Sequence, residues 1–408
     1  MPEDYLSQLD KDFKEVLNSI YKTGEADISK NNQILATQGK LLAETVNKNF
    51  QIDFKTPDYG MLERLTSDVW RFSAAKNYHE LKDLTSALKD ENGKIRSFSD
   101  FQEVASKIND KFNKDWLRTE YNQAISGATS AARWSDFEKN SDIMPNLEYQ
   151  TAGDDFVRME HALLNGIIKP MNDSFWDSNY PPNGWNCRCE AIQIPNSLGY
   201  VTPPSETPEI HIPEMFRTNL AKTGLIFPKG SAYYSGIPKS ELRRAIAYLP
   251  PKNVYQEFNI GKYVVLVHPL HGKNELTENL KAVNAYLDKK PKANIKLLPI
   301  LNEKDMAAKK LYLSKEYLSQ FPNKSPDILL NGKPVDIKNI NGSYASVQHG
   351  IAKGVQQANE VILYINADNI ATEINRAVIG ELKKESYQNK HLTVKLLANK
   401  DLKTYKIK

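Results

Sequence analysis

The sequence predicts a multidomain protein in which a mainly α-helical N-terminal module precedes an α/β C-terminal domain. Apolar residues recur at helical spacing through most of residues 1–140, eight prolines fall within residues 202–251, and short apolar runs alternate with amphipathic segments from residue 252 onward. A chain of 408 residues is also too long to fold around a single small hydrophobic core. We predict four segments: a helical extension (1–59), a first domain (60–200), a proline-rich linker (201–251) and a second domain (252–408).

Long helices are predicted in the first part of the chain from stripes of apolar side chains that would form core faces. These residues are Tyr5, Leu9, Phe13, Val16, Leu17, Ile20, Trp70, Phe72, Leu81, Phe101, Val104, Ile108, Phe112, Trp116 and Tyr121. Residues 145–200 differ, because Pro170, Pro181 and Gly184 interrupt their short apolar pieces. That region is expected to be irregular and to surround a compact site.

The second domain is predicted to alternate strands with helices. Apolar runs predict strands at 263–267, 295–298, 328–330, 335–337, 361–365 and 393–397, the last of them being the final strand. Amphipathic segments predict helices at 277–287, 307–318, 345–357 and 370–384. Asn331 and Gly332 lie between two of the strands and are typical of a two-residue hairpin turn.

Charge is divided unevenly along the chain. Residues 252–408 contain 25 Lys and Arg against 15 Asp and Glu, a net of +10, whereas residues 1–251 contain 29 against 35, a net of −6. A basic domain indicates either an anionic partner or a lysine-rich solvated surface. The apolar runs are shorter than the ~20 residues that span a bilayer. The acidic N-terminus lacks the features of a signal peptide, so synthesis in the cytoplasm is expected.

The two cysteines, Cys187 and Cys189, form a Cys-x-Cys pair. One intervening residue would strain a disulfide, so a structural bridge is not expected. Together with His161 they offer three of the four ligands of a tetrahedral zinc site, with Asp155 or Asp173 as the fourth. The alternative is a reduced cysteine pair packed beside a buried histidine.

Three strings in this region resemble the phage Mu F-like head morphogenesis family over about residues 60–195. They are Arg118-Thr119-Glu120, then Arg158-x-x-His161-x-x-Leu164-x-Gly166, then Pro181-Pro182-Asn183-Gly184-Trp185-x-Cys187-Arg188-Cys189. The resemblance implies a minor capsid protein of a tailed phage. Such a protein would lie in the capsid interior or at the portal vertex, with portal and capsid proteins as its partners.

A second constellation lies on the predicted hairpin of the C-terminal domain. Asp327 precedes the first strand, and Asp336 and Lys338 lie on the second. Two carboxylates on adjacent strands can bind Mg²⁺, and a lysine two residues on lies on the same face of its strand. Val335 and Ile337 alternate with the charged residues, which are therefore expected on the face opposite the core. The alternative is a solvent-exposed hairpin with an ordinary Asp–Lys pair.

Other residues of the domain are candidates for supporting roles. A further acid from the preceding helix would be Glu275 or Glu278. His349 and Lys353 on the following helix are candidates for contacts to phosphates or bases. Gln357 is a candidate for supporting the site, and Tyr344 for stacking on an unpaired RNA base.

The order of these motifs resembles the C-terminal tRNA nuclease domains of contact-dependent growth inhibition proteins, over about residues 255–400. Those toxins belong to the PD-(D/E)xK nuclease superfamily. The resemblance implies a Mg²⁺-dependent (or Mn²⁺-dependent) endoribonuclease that cleaves tRNA or other structured RNA. In it Asp327 and Asp336 would hold the metal, Lys338 would be the catalytic lysine and Glu275 the helix acid. A cognate immunity protein is then an expected partner.

The two resemblances together predict a phage head protein that carries a toxin to act in the host cytoplasm. Two alternatives stay open at the level of sequence. One is a purely structural capsid or portal-associated protein whose C-terminal domain binds nucleic acid, and the other is a PD-(D/E)xK nuclease that cuts DNA.

Overall fold

The computed structural model describes residues 1–50, 58–197, 200–228, 230–388 and 390–407. Contacts divide the chain into two compact units, Met1–Leu249 and Pro250–Lys408. The division falls close to the boundary near residue 252 that the sequence predicts. Within the described ranges, no helix has both the length and the apolar character needed to cross a membrane.

The first unit is mainly helical, as predicted. Its longer helices are α1 (Glu3–Thr23), α2 (Gln33–Asn49), α3 (Tyr59–Ala87), α4 (Phe98–Asn109) and α5 (Leu117–Lys139), with a π-helical turn, Asp110–Trp116, between the last two. The predicted apolar stripes are largely buried: Leu9, Phe13, Val16 and Ile20 of α1 share a core cluster with residues of α2, α3 and α4. Five of the predicted residues are not fully buried, because Trp116 is 37% exposed and Tyr5, Val104, Ile108 and Tyr121 are half-buried. Burial of these faces is the main source of helix stability here.

A small antiparallel sheet interrupts the region that the sequence predicted to be irregular. Its strands are β1 (Asn146–Gln150), β2 (Ile168–Pro170) and β3 (Glu190–Ile194), with β1 in the centre. Two short helices, α6 (Met159–Ala162) and α7 (Phe175–Asn179), lie between the strands in the chain. The strands are three to five residues long, which is too short for a clear sequence pattern.

The segment predicted as a linker, 201–251, is instead largely part of the first unit, which extends to Leu249. It contains short 3₁₀ turns together with α8 (Leu220–Thr223) and α9 (Lys239–Ala247). Phe227 is fully buried and stacks on Phe72 of α3 with ring centroids 3.8 Å apart. Its backbone N–H donates to Asp68 Oδ2 at 2.7 Å. Apolar residues between the prolines thus fix the segment to the helices, which a composition rich in proline does not reveal.

The second unit is built on an eight-stranded mixed sheet with the strand order β11-β10-β9-β8-β7-β6-β5-β4. Its elements in chain order are α10 (Pro251–Val254), β4 (Gln256–Ile260), β5 (Tyr263–Val267), α11 (Lys273–Lys289), β6 (Ile295–Leu297), α12 (Met306–Tyr312), α13 (Lys315–Gln320), β7 (Ile328–Leu330), β8 (Lys333–Asn339), α14 (Tyr344–Gly354), β9 (Glu360–Tyr364), α15 (Thr372–Leu382), β10 (Leu392–Leu397) and β11 (Leu402–Ile407). The pairs β5–β6, β8–β9 and β9–β10 are parallel. The other neighbouring pairs are antiparallel.

The structure corrects the predicted elements of this unit at three points. Strands β4 and β11 were missed, and β10 is therefore not the final strand. The helix predicted over 307–318 is two helices, because Ser314 caps α13 by accepting a hydrogen bond from the Tyr317 N–H. The hairpin turn is as predicted: Asn331 and Gly332 have positive φ, and Leu330 pairs with Lys333.

Helices cover both faces of this sheet. On one face, α14 and α15 pack on β9 and β10 in a cluster that includes Val347, Ile351, Val361, Val378, Val394 and Leu396. On the other face, Lys395 points away from Val394 and Leu396, and its Nζ lies 5.5 Å from the ring of Tyr286 on α11. The hairpin β7–β8 therefore lies inside a layered domain.

Candidate functional site

The hairpin places two carboxylates side by side. Ile328 pairs with Val335 across β7 and β8, so Asp327 and Asp336 face each other at the next position. The Asp327 carboxylate accepts a hydrogen bond from the Ile337 N–H at 2.6 Å and lies within hydrogen-bonding reach of the Asp336 carboxylate.

Asp336 is deeply buried, with 2% of its surface exposed. Burial, and then the neighbouring charge of Asp327, raise the pKa of Asp336 from its ordinary 3.8 to about 8, while Lys338 opposes the shift. Lys338 Nζ lies 2.6 Å from Asp336 Oδ2, although that oxygen has no hydrogen-bond partner of ordinary geometry. The burial rules out the alternative of a solvent-exposed hairpin.

The face carrying Asp336 and Lys338 is covered rather than open, contrary to the prediction that it lies opposite the core. Helix α14 packs against this face at Gly350. A Cβ added to Gly350 would lie 3.0 Å from Ile340 Cγ2 and 3.7 Å from Lys338 Cβ. When helices cover both faces of a sheet, neither face of its central strands is open to solvent. The alternation of apolar and charged residues along one strand does not show that the second face is also covered.

The charge on Lys338 is maintained by its neighbours. Burial disfavours the ammonium form, but Asp336 and Asp327, with a smaller contribution from Glu275, raise the pKa of Lys338 above its ordinary value. The Lys338 side chain is 28% exposed, so its ammonium group lies between the buried Asp336 carboxylate and solvent. A group placed there can stabilise negative charge on a substrate.

The donor set at the hairpin fits a hard divalent cation. Two adjacent carboxylates, one with a buried oxygen that lacks a well-oriented hydrogen bond, are the kind of ligand that Mg²⁺ prefers. Glu275 is exposed at the start of α11 and does not join them in a compact group of three: among the described residues, the one such group within 4.8 Å is His161, Cys187 and Cys189. Asp327 and Asp336 are therefore the two residues that would hold the cation.

The two candidates for the helix acid differ in their surroundings. Glu278 forms an ion pair with Lys281 at 2.6 Å, and its charge acts on Tyr364. Glu275 instead contributes to the electrostatics of Lys338 and of His271.

Two residues outside the set of site residues assigned from the sequence lie beside the site. Tyr317 of α13 is buried, donates from its hydroxyl to the Gln357 carbonyl at 2.6 Å, and has a pKa raised by burial and then by Asp336 and Asp327. His271 is also buried, and its Nδ1 lies 2.7 Å from the Leu298 carbonyl oxygen. Burial lowers the pKa of His271, although Asp327 and Glu275 oppose the effect.

Only one sequence signal points to either residue. His271 Nε2 lies 3.1 Å from the side-chain amide of Asn279, the residue four positions after Glu275 on α11. The Glu-x-x-x-Asn spacing could therefore have indicated His271. Tyr317 reaches the site from a helix outside the hairpin, and no local pattern marks it.

The predicted substrate-binding residues are spread over α14 and its end. His349 and Lys353 are exposed and, four residues apart, share a helix face. Tyr344 is 57% exposed, and its hydroxyl lies 3.8 Å from the Cβ position at Gly380 of α15. Gln357 follows the helix, and its carbonyl is held by Tyr317. Tyr344 therefore points toward α15, and only His349 and Lys353 form a contiguous pair.

A separate cluster lies in the first unit. His161 of α6 is buried, and its Nδ1 lies 3.7 Å from Cys187 Sγ and 3.7 Å from Cys189 Sγ. The hydrogen bond from Cys189, opposed by burial, lowers the pKa of the Cys187 thiol to about 4, and the same contact raises the pKa of Cys189. Asp155 and Asp173, the suggested fourth ligands, do not belong to this group.

Comparison with known proteins gives two family matches. Residues 81–192 match the family described as Phage Mu protein F like protein, and residues 324–398 match the family described as Contact-dependent growth inhibition CdiA C-terminal domain. The first range contains His161, Cys187 and Cys189, and the second contains Asp327, Asp336 and Lys338. The chain thus joins two segments with the two resemblances that its sequence predicts.

Two curated relatives share the first segment. One is described as putative capsid assembly protein F of Escherichia phage Mu, 40% identical over 73 residues, which are 18% of this chain and 17% of that protein. The other is described as Mu-like prophage FluMu F protein of Haemophilus influenzae, 39% identical over 62 residues, which are 15% of each. The chain therefore spans about a sixth of the length of these relatives. No solved structure matches the chain.

Proposed function

We propose that this chain, which joins a Mu F-like segment to a CdiA C-terminal segment, is a phage head protein carrying a nuclease toxin. The observation that carries the proposal is the buried Asp327–Asp336–Lys338 constellation inside the CdiA-like segment. A structural protein gains nothing from placing two adjacent carboxylates in its interior, because their burial and mutual repulsion are unfavourable.

The first unit would place the chain in the virion. Its support is the match over residues 81–192 and the description of the phage Mu relative as a capsid assembly protein. Portal and capsid subunits would be its partners, and the capsid interior or portal vertex its location. The toxin would then travel with the particle and act in the cytoplasm of the cell it enters.

The second unit would hydrolyse phosphodiester bonds as a PD-(D/E)xK-type enzyme. Asp327 and Asp336 would hold Mg²⁺ or Mn²⁺, which when bound neutralises phosphate charge and lowers the pKa of a water ligand. Lys338, kept protonated by the two carboxylates, supplies positive charge beside the reacting phosphate. Glu275, at the start of α11, adds a negative charge that acts on Lys338. The Tyr317 hydroxyl holds the backbone carbonyl of Gln357 by a hydrogen bond.

The substrate we propose is tRNA or another structured RNA. The support is the CdiA-like match together with the net charge of +10 over residues 252–408. His349 and Lys353, exposed on one face of α14, are placed to contact the substrate backbone. A producer of such a toxin requires protection, so a cognate immunity protein is a further partner.

Two experiments test the two halves of this proposal. Mass spectrometry of purified particles should detect peptides from both units, and particles that lack residues 250–408 would contradict delivery with the virion. Incubation of the purified chain with total tRNA and with duplex DNA, each in Mg²⁺ and in chelator, tests the activity. Cleavage of tRNA alone supports the proposal, whereas cleavage of duplex DNA alone would show that the substrate is DNA and not RNA.

A further inference from the structure

We propose that His161, Cys187 and Cys189 bind one zinc ion in the first unit, at a site unrelated to the nuclease reaction. Among the described residues, these are the one group of three such side chains whose ligand atoms all lie within 4.8 Å of one another. The inference is independent of the proposed nuclease, because the two sites belong to different units.

The distances match those of a tetrahedral zinc centre. Zinc–sulfur bonds of about 2.3 Å and zinc–nitrogen bonds of about 2.1 Å imply about 3.6 Å between a sulfur and a nitrogen ligand. His161 Nδ1 lies 3.7 Å from each sulfur. Two of the three edges of one face of the tetrahedron therefore already have the required length, and the two sulfurs lie within 4.8 Å of each other.

The chemistry of the ligands selects the metal. Two thiolates and an imidazole are soft to borderline donors, which favour Zn²⁺ over Mg²⁺ or Ca²⁺. A cavity of about 20 Å³ lies against the three side chains and is bordered also by Phe156, Val157 and Asn186. A volume of that size admits about one water molecule, which can complete the coordination.

The surrounding chain holds the ligands in place. Cys187 N–H donates to the Gly184 carbonyl at 3.1 Å, and Arg158 donates to the Trp185 carbonyl at 2.6 Å. Arg188, between the cysteines, forms two hydrogen bonds of 2.6 Å with Asp154. Zinc would add a cross-link between the same two segments, the turn that leads into α6 and the loop that leads into β3.

The test is the zinc content of the full chain. The chain purified under reducing conditions and exposed to Zn²⁺ should retain about one zinc per chain. The variants His161→Gln and Cys189→Ser should retain at least tenfold less, whereas Cys189→His, which keeps a ligand, should retain most of the metal. The control His211→Gln changes an exposed histidine of the same unit and should bind zinc as the unchanged chain does.

The test does not depend on whether the variants fold, because the unchanged chain provides a second measurement. Chelation of the unchanged chain should lower its melting temperature, expose both thiols to alkylation, and be reversed by Zn²⁺. A reduced, folded chain that retains well below one zinc, or a His161→Gln variant with undiminished zinc, would overturn the proposal. A chain whose two cysteines form a disulfide and which takes up no zinc after reduction would do the same. Cleavage of tRNA, assayed in Mg²⁺ after the chelator has been removed, should not change in any arm.

Discussion

Lys338 Nζ lies 2.6 Å from Oδ2 of Asp336, a carboxylate that is almost entirely buried. Both residues lie on β8, two positions apart, so they share one face of the strand. Opposing influences act on Asp336: burial and the charge of Asp327 favour its neutral form, while Lys338 favours its charged form. The site thus holds an ammonium group and two carboxylates in a small, poorly solvated space.

Replacement of Lys338 by methionine should abolish cleavage and weaken the second unit. The substitution leaves two adjacent carboxylates without their cation, and removal of one partner of a buried ion pair costs on the order of 3 kcal/mol. We expect tRNA cleavage to fall at least 100-fold and the free energy of unfolding to fall by a few kcal/mol at neutral pH. Lys383→Met, at an exposed lysine, is the control and should change neither. Full activity of Lys338→Met would remove the lysine from the mechanism.

Gly350→Ala should destabilise the second unit, because α14 approaches β8 and β9 closely at this residue. The added Cβ would lie 3.0 Å from both Ile340 Cγ2 and Leu363 Cδ2, so the helix must shift by a few tenths of an ångström. Overpacking of this kind costs about 1–3 kcal/mol. Chemical denaturation measures the change.

Gly380→Ala is the matched control for this prediction. It also lies in a helix, α15, but its Cβ would meet only the Tyr344 hydroxyl at 3.8 Å. Because alanine favours the helix over glycine by up to about 1 kcal/mol, this variant should be neutral or stabilised. Equal effects of the two substitutions would contradict the close packing at Gly350.

The stability of the first unit should depend on pH through Glu80. This carboxyl group is buried in α3 and accepts a hydrogen bond from Asn113 at 2.6 Å. Burial raises the pKa of Glu80 from 4.5 to about 7, although Lys76 opposes the shift. The folded state therefore holds the proton more tightly than the unfolded state, and this contribution is lost as the pH rises from about 4.5 through about 7.

Denaturation of the chain at a series of pH values tests the role of Glu80. Glu80→Gln should flatten the fall in stability across this window, relative to the unchanged chain. Glu103→Gln, at an exposed position of α4, should leave the slope as it was. If the first unit becomes more stable as the pH rises from 5 to 7, and Glu80→Gln does not alter that trend, the assignment fails.

Lys353→Ala should weaken tRNA binding without changing sequence preference. A lysine that contacts a phosphate releases a counterion, so its loss should reduce the slope of log affinity against log salt by about one. Binding is best measured with an inactive chain carrying Asp336→Ala. Lys403→Ala, an exposed lysine on β11, provides the comparison. An unchanged affinity and salt slope for Lys353→Ala would exclude this face of α14 from the interface.

Much of the fold follows from local patterns. The hairpin turn at Asn331–Gly332, the helices α11 and α14 and the strand β9 each have a clear turn signal or apolar periodicity, and the structure contains them. Edge strands β4 and β11 were missed because Gln256, Glu257, Lys403 and Lys406 interrupt their apolar pattern. Their formation depends on pairing with the adjacent strands β5 and β10 rather than on an apolar pattern of their own.

The candidate sites show the same limit. Spacing along β8 brings Asp336 and Lys338 together, and the short Cys-x-Cys brings two thiols to one place. The burial of the Asp336 carboxylate, the position of Tyr317 beside it and the equal distances from His161 to both sulfurs are consequences of tertiary packing. Asp155 and Asp173, which the sequence offered as a fourth ligand, lie outside the group of three side chains whose ligand atoms are within 4.8 Å of one another.

The most direct test of the account is tRNA cleavage by the full chain, by Asp336→Ala and by Asp368→Ala. Asp368 is an exposed aspartate of the same unit, paired with Lys400, and serves as the matched control. The account predicts Mg²⁺-dependent cleavage by the unchanged chain and by Asp368→Ala, and at least a 100-fold loss for Asp336→Ala with folding retained. Cleavage that persists in Asp336→Ala, or that continues undiminished in chelator, would contradict it.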